Sequence, residues 1–344
     1  MSAASGEKLQ AYLRLRTGQS DLAVTAFREL IAGWSRITYT ATVESRVPEL
    51  RHLVIQVEKP DSVVVDSSVE RDFRVLTVLA GAGLPVPRAF WHKADAAVLG
   101  GPFIVTELLP GRSFDTSSGE HRALLSAHWQ KRSQLPAAIV GALVAVHATS
   151  FAELSFLPAA ASADATAAYE LQRCRVLARE ARVEDQATVA LALHWLERKQ
   201  PTSGFLTLVH GDFHMRNLLI DEERVSGVLD WEVTRISNPF FDLAYMSIPY
   251  LSGKFFSPGS DLVGGIMPLD WLLAEYGRRT GREISTEDFR YWRVLATLTL
   301  LLVVAKGVSD FEAGKLTSIR NAWARFSEPV LHEDILNLLV PTAR

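Results

Sequence analysis

The pattern of apolar and polar positions changes period twice along the chain. VTAFREL (24–30) and ITYTATVE (37–44) carry β-branched and aromatic residues in rough alternation, the period of a half-buried strand. IAGWSR (31–36) joins them, with Gly33 as the turn residue. HLVIQVE (52–58) follows SRVPELR, so three strands of an antiparallel sheet are expected. SSVERDFRVLTVLAGAG (67–83) then takes the helical period. Ser67 or Ser68 can cap it, Phe73, Leu76 and Leu79 form an apolar stripe, and Gly81 or Gly83 can stop it. LPVPRAFW (84–91) returns as an extended segment, and GPFIVTELLPG (101–111) as a strand broken at Pro110 and Gly111, a candidate domain boundary.

Beyond that break the helical period dominates. AAIVGALVAVHATS, AAYELQRCRVLARE, ATVALALHWLERK, LDWLLAEYGRRTG and DFRYWRVLATLTLLLVVAKG all read as helices, while LPAAASADATAA reads as an alanine-rich loop. A strand-rich island, FLTLVHGDFHMRNLLIDEERVSGVLDW (205–231), lies among them. The expected outline is a small β-rich lobe, a short hinge and a larger helical lobe with an inserted hairpin.

Composition narrows the function classes. The chain has 344 residues, 48% of them hydrophobic, enough for a large core and more than one lobe. With 36 basic against 39 acidic residues, the net charge of -3 argues against an electrostatic nucleic-acid binder. Cys174 is the single cysteine, so neither an intramolecular disulfide nor a CxxC zinc pattern can form. The N-terminal stretch MSAASGEKLQAYLRLR has no apolar core of the secretory kind, and LATLTLLLVVA (295–305) reads as a buried helix too short to span a bilayer. A reduced, soluble, cytoplasmic protein is expected, with no nucleic-acid or membrane partner; its oligomeric state is open.

The island carries the chemistry. HGDFHMRN (210–217) sets His210, Asp212, His214, Arg216 and Asn217 within eight positions. A helical zinc site would use two histidines four apart, but Gly211 and the flanking strand-like runs argue against a helix, and no HExxH or third ligand is present. A plain polar turn accounts for Gly211 but not for Asp230, which the hairpin NLLIDEERVSGVLDWE (217–232) returns beside Asn217. Protein kinases have the same order: a catalytic aspartate, an asparagine five residues on, and a metal-binding aspartate after a hairpin. Phosphoryl transfer needs a carboxylate to orient the acceptor hydroxyl and oxygen ligands for Mg²⁺. Asp212, Asn217 and Asp230 supply that set.

The block LVHGDFHMRNLLIDEERVSGVLDWEVTRISNPFFDLA strongly resembles the aminoglycoside phosphotransferase/choline kinase-like enzymes, whose pattern is HGDxxxxN, a hairpin, a DWE and a downstream DLA. The likeness extends through GWSRITYTATV, VERDFRVLTVLAGAGLPVP and PFIVTELLPG, most of the chain. It implies an α+β, bilobal protein-kinase-like fold: a nucleotide-binding lobe over 1–107, with an N-terminal helix and a small antiparallel sheet, and a hinge and mostly helical lobe over 108–344. It also implies ATP or GTP and Mg²⁺ as cofactors, and a small-molecule hydroxyl as acceptor. Asp212 is then the catalytic base or hydroxyl-orienting group, and Asn217 and Asp230 hold Mg²⁺ and, through it, the nucleotide. His210 joins the catalytic set, as a brace of the loop more than as a proton carrier, and Asp242 bonds the loop backbone. IAGWSR, with Ser35, would cover the phosphates, and backbone groups around Glu107 and Leu109 would hold the base edge. His214, Arg216 and Glu232 are left without a chosen role.

The sequence departs from the resembled family at one point. The third strand should carry a lysine or arginine for the phosphates, paired with a glutamate on the next helix. Gln56 and Asp72 stand there instead, with Lys59 and Glu70 as candidates in another register. Gln56 can hydrogen-bond a phosphate but brings no charge. A working kinase with altered anchoring, a shifted strand, and a nucleotide-binding module with degenerate catalysis all remain open. A protein kinase is disfavoured, because only twelve positions separate Asp230 from Asp242 and no APE motif follows. Acidic residues of the C-terminal half alternate with arginines and aromatics, unlike a pocket for a polycation, so a partly apolar hydroxylated acceptor is expected. Relatives that phosphorylate hydroxyacyl thioesters offer an analogy.

Overall fold

The computed structural model describes residues 3–30, 36–59, 67–257, 260–316 and 318–340. The chain divides into two units, 1–110 and 111–344, at the Pro110–Gly111 break. Gly33 and Ser35 lie outside the described residues.

The first unit runs α1 (Ala3–Thr17), β1 (Ala23–Leu30), β2 (Arg36–Glu44), β3 (His52–Glu58), α2 (Val69–Gly81), β4 (Ala89–Lys93) and β5 (Phe103–Glu107). The strands form one antiparallel sheet in the order β1-β2-β3-β5-β4. Side chains directly opposite one another in such a sheet share a face. Tyr39↔Ile55, Ala41↔Leu53 and Ile55↔Val105 therefore point one way, where Leu9, Tyr12 and Leu13 of α1 close a core. Each aliphatic or aromatic side chain so buried contributes roughly 1.5–3 kcal/mol. The opposite face is mostly polar along β2 and β3, carrying Arg36, Thr38 and Thr40 beside Glu58, Gln56 and the apolar Val54.

Of the two candidate caps for α2, Ser68 is used: its side chain accepts from the Arg71 N–H. Gly83, at φ +80°, is the left-handed residue that stops the helix, after its last residue Gly81. The stripe differs from the expected one. Val69, Asp72, Val75, Leu76 and Leu79 face inward, so a carboxylate stands among the apolar positions, and Phe73 is only half-buried.

The second unit holds α3 (Gly119–Gln130), α4 (Leu135–Ala148), α5 (Thr166–Ala181), α6 (Ala187–Arg198), β6 (Thr207–Val209), β7 (Leu218–Asp221), β8 (Arg224–Val228), β9 (Arg235–Ser237), α7 (Phe240–Met246), α8 (Leu269–Thr280), α9 (Thr286–Glu312), α10 (Ile319–Ala324) and α11 (Glu328–Leu339). The stretch expected to be too short for a bilayer belongs to a helix of 27 residues, which length and composition alone would let cross one. Its apolar residues are covered instead: α9 packs against α5, α7, α10 and α11, and Trp292, Leu295, Leu298, Leu301 and Leu302 are buried. That is the pattern of a core helix. Within the island, β7 and β8 make the expected hairpin, and β6 pairs with the unforeseen β9 just beyond it.

Candidate active site

The loop 210–214 follows β6, and a single 3₁₀ turn, Met215–Asn217, leads into β7. Buried groups behind it fix its path. Asp242, on α7 and fully buried, accepts the His210 N–H on Oδ2 and the Gly211 N–H on Oδ1, both at 2.8 Å. His147, at the end of α4, reaches the same Oδ2 at 3.0 Å through Nε2, and its Nδ1 meets the Tyr276 hydroxyl at 2.9 Å. Gly211 sits at φ +88°, where a Cβ would press into the Arg235 guanidinium and lie 2.8 Å from the Val233 carbonyl oxygen. Only glycine fits there without displacement.

Arg235 is itself locked. Its Nε donates to Glu170 of α5 at 2.5 Å with both side chains buried, and its guanidinium lies 4.2 Å from the centroid of the Phe241 ring. His210 is fully buried, and backbone groups engage both ring nitrogens. Nε2–H donates to the Leu229 carbonyl at 2.9 Å, and Nδ1 accepts the Asp212 N–H at 3.2 Å. Burial holds this imidazole below its ordinary pKa, against the pull of Asp242 and Asp212.

Asp212 and Asn217 meet directly. The Asn217 Nδ2 donates to Asp212 Oδ2 at 2.7 Å and to the Asp212 carbonyl at 2.9 Å. His214 Nδ1 accepts the Arg216 N–H, which leaves Nε2–H directed toward Asp212 Oδ1 at 3.4 Å. Burial alone would raise the Asp212 carboxyl, but His214, the hydrogen bond from Tyr245 and His210 outweigh it and hold the group below the usual carboxylate range. A quarter of the Asp212 side-chain surface stays accessible, so the carboxylate is ionised and reachable.

The hairpin register brings Asp230 back to this point. Leu218 pairs with Val228, and the Leu229 N–H donates to the Asn217 carbonyl at 2.8 Å. Asp230 is exposed and adopts φ +67°. A side-chain-bearing residue pays roughly 1–3 kcal/mol for such a conformation, and such residues cluster at functional sites. With its Nδ2 given to Asp212, Asn217 has a carbonyl oxygen to offer, and Asp230 has a carboxylate. Both are hard donors suited to Mg²⁺, which takes one or two protein ligands together with phosphate oxygens. Among the described residues no group of three or more His, Cys, Asp or Glu side chains is gathered to hold a metal.

The other residues named from sequence fall elsewhere. Arg216 is tied to Asp115 at 2.6 Å on the surface, and Glu232 is half-buried. In the first unit, Glu107 ends β5; its N–H donates to the Arg88 carbonyl and its carboxylate accepts the Arg88 N–H, both at 3.0 Å. Leu109 is half-buried just beyond. Gln56 stands on the polar face of β3, and Asp72 is buried on α2. The Asp72 partner is one the sequence reading did not name: Arg36 at the start of β2, whose Nη2 lies 3.2 Å from Asp72 Oδ2. Tyr245 and His147 also went unforeseen. Tyr245 lies three positions past Asp242 on one helical face, a spacing that could have flagged it, whereas nothing local marks His147.

A loop aspartate bonded to an asparagine five residues on, with a second aspartate returned by the next hairpin, defines a class of phosphoryl-transferring enzymes with a kinase-like fold. Residues 26–266 match the model of the phosphotransferase enzyme family, and the chain belongs to that family. Its fold is shared with a structure from Ralstonia eutropha JMP134 assigned as an aminoglycoside phosphotransferase, with a TM-score of 0.73 and 22% identity over 96% of this chain and 97% of that one. Macrolide 2'-phosphotransferase type I follows at 0.60 and 20%, over 95% and 97%. Aminoglycoside phosphotransferase APH(4)-Ia, in complex with AMP-PNP and hygromycin B, gives 0.59 and 16%, over 95% and 98%. At these identities the likeness concerns the fold. Among curated proteins, acyl-CoA dehydrogenase family member 10 of Mus musculus is 27% identical over 71% of this chain, and family member 11 of Rattus norvegicus 26% over 87%. The chain spans only 22% and 38% of the length of those two relatives.

Proposed function

We propose that the protein transfers the γ-phosphoryl group of ATP or GTP to the hydroxyl of a partly apolar small molecule. The observation that carries this reading is the Asp212 carboxylate, held ionised and accessible by His214, Tyr245 and Asn217 on a loop that Asp242 braces. An acceptor hydroxyl would donate to Asp212, which orients it for in-line attack and takes its proton as the new P–O bond forms and the bond from the γ-phosphorus to the departing nucleoside diphosphate breaks. Mg²⁺, when bound, would be held by the Asn217 carbonyl oxygen and the Asp230 carboxylate and would neutralise the phosphate charge. His210 positions: with both ring nitrogens given to backbone, it fixes the loop and relays no proton to the reacting groups.

For the acceptor we favour a hydroxylated acyl compound, such as a hydroxyacyl thioester. Two things support this. The curated relatives carry acyl-CoA dehydrogenase names. The segment between α7 and α8 exposes Phe255 and Phe256 side by side, and it returns to the site loop where Gly264 packs on Met215. Nucleoside diphosphate release from ATP and from GTP should be measured with a panel of hydroxyacyl thioesters, aminoglycosides and simple polyols. Turnover with the thioesters is expected. Turnover with aminoglycosides alone would overturn the acceptor assignment, and nucleotide binding without turnover of any hydroxyl compound would support a binding module instead.

A further inference from the structure

The first unit holds a buried ion pair that the reading above leaves unused, at the point where the chain lacks its expected cation. Arg36 and Asp72 are 5% and 8% exposed. Taking such a pair out of water costs several kcal/mol per ion unless the remaining donors and acceptors are met. Here they are not. Arg36 Nη2 serves both Asp72 Oδ2 and the Ser67 hydroxyl, while the buried Arg36 Nε and Asp72 Oδ1 have no hydrogen-bond partner among the described residues. A half-satisfied buried pair is a poor device for stability alone.

The sheet register says where the guanidinium stands. Thr38 is opposite Gln56 and Arg36 opposite Glu58, so Arg36 is the diagonal neighbour of Gln56 on the same face. Diagonal neighbours lie roughly 7–8 Å apart, well within the reach of an arginine. Glu58, opposite Arg36, is turned to another partner: its Oε1 accepts the Val69 N–H at 2.6 Å, at the start of α2. Lys59, the alternative considered from sequence, follows the end of β3 at the opposite parity from Gln56.

We infer that Arg36, carried by β2 and held by Asp72 of α2, is the cation that contacts the nucleotide phosphates in place of the uncharged Gln56. A planar guanidinium whose Nε–H is unmet among the described residues suits phosphate oxygens, and Asp72 serves Arg36 as a helix-borne carboxylate serves the usual third-strand cation. The inference rests on the reading that the protein binds a nucleotide.

The test compares binding of the nucleoside triphosphate, in the presence of Mg²⁺, with binding of its nucleoside by calorimetry. ATP with adenosine, or GTP with guanosine, is chosen by whichever triphosphate the parent binds more tightly. Arg36→Gln is expected to weaken triphosphate binding roughly ten- to hundredfold, as loss of a charged hydrogen bond does, with nucleoside binding within twofold of the parent. Because Arg36→Gln leaves Asp72 unpaired, melting is followed alongside. The exchange variant Arg36→Gln/Gln56→Lys, which returns the charge to β3, is expected to fold and to regain at least tenfold of the lost affinity. Triphosphate binding within threefold of the parent in Arg36→Gln would overturn the inference. So would equal losses for triphosphate and nucleoside, an exchange variant that folds without regaining affinity, a failure of both variants to fold, or a strong selective loss in Lys59→Ala. A parent that binds neither ATP nor GTP would sink the nucleotide reading itself, a separate result.

Discussion

Replacing Asp242 by asparagine changes one atom and should cost much more than its size suggests. Both carboxylate oxygens are in use, Oδ1 by the Gly211 N–H and Oδ2 by the His210 N–H and His147. Asparagine offers one oxygen and one NH₂. Whichever way the amide is turned, one backbone N–H of the loop faces a donor and stays buried without an acceptor. That costs roughly 1–3 kcal/mol, and the remaining bond loses its charge assistance, for a total of about 2–4 kcal/mol. Burial would raise the Asp242 carboxyl, but the bond and charge of His147, with His210 and the Gly211 N–H, more than offset this and hold it below the usual range. The native loop thus stabilises the very charge that the variant removes. For a unit of this size each kcal/mol lowers the melting temperature by about 2–4 °C, so a fall of roughly 4–16 °C is expected by calorimetry. Displacement of Asp212 should lower kcat as well, by about a hundredfold for a shift near 1 Å. A variant melting within 1 °C of the parent would refute the brace.

Three further outcomes are expected, two from the residues around the loop and one from α11. Glu170→Ala leaves the Arg235 guanidinium buried without its counter-ion, so a loss of about 3–5 kcal/mol is expected in denaturant titration, and a loss under 1 kcal/mol would contradict the pairing. Asp212 has a depressed folded pKa, so turnover should show no Asp212 inflection from about pH 5 to 8, and an acid limb centred above pH 5 would contradict its assignment. Asp334 has its pKa raised by burial to about 6, which penalises folding increasingly as pH rises from the ordinary carboxylate range through 6; Asp334→Asn should therefore raise the melting temperature at pH 8 and leave it unchanged at pH 4.

The strands of the first unit were legible because alternation over seven to nine residues leaves little choice of face: Tyr39, Ala41 and Val43 could only turn inward together. The five-residue spacing of Asp212 and Asn217, and the hairpin that returns Asp230, were legible for a similar reason, since both are local in the chain. Contacts between distant segments were not. His147 reaches Asp242 across 95 positions and Glu170 reaches Arg235 across 65, and no periodicity encodes such partners. Asp72 shows the limit most clearly. Its place on α2 was readable, but its cation was sought on β3, where the resembled family carries it, whereas the sheet brings Arg36 from β2. The three residues of β9 were too few to show alternation, and their strand exists because β6 pairs with them.

The measurement that bears most directly on the central claim is phosphoryl transfer by Asp212→Asn, with nucleotide binding followed in the same preparation. Asparagine keeps the shape of the side chain and removes the base, which at such a position contributes about 10²–10⁴-fold to rate. The variant is expected to bind Mg²⁺ and nucleotide like the parent and to lose at least a hundredfold in kcat, whereas Asp230→Asn is expected to lose nucleotide binding in the presence of Mg²⁺ itself. An Asp212→Asn variant that turns over its acceptor within a few-fold of the parent would contradict the central claim.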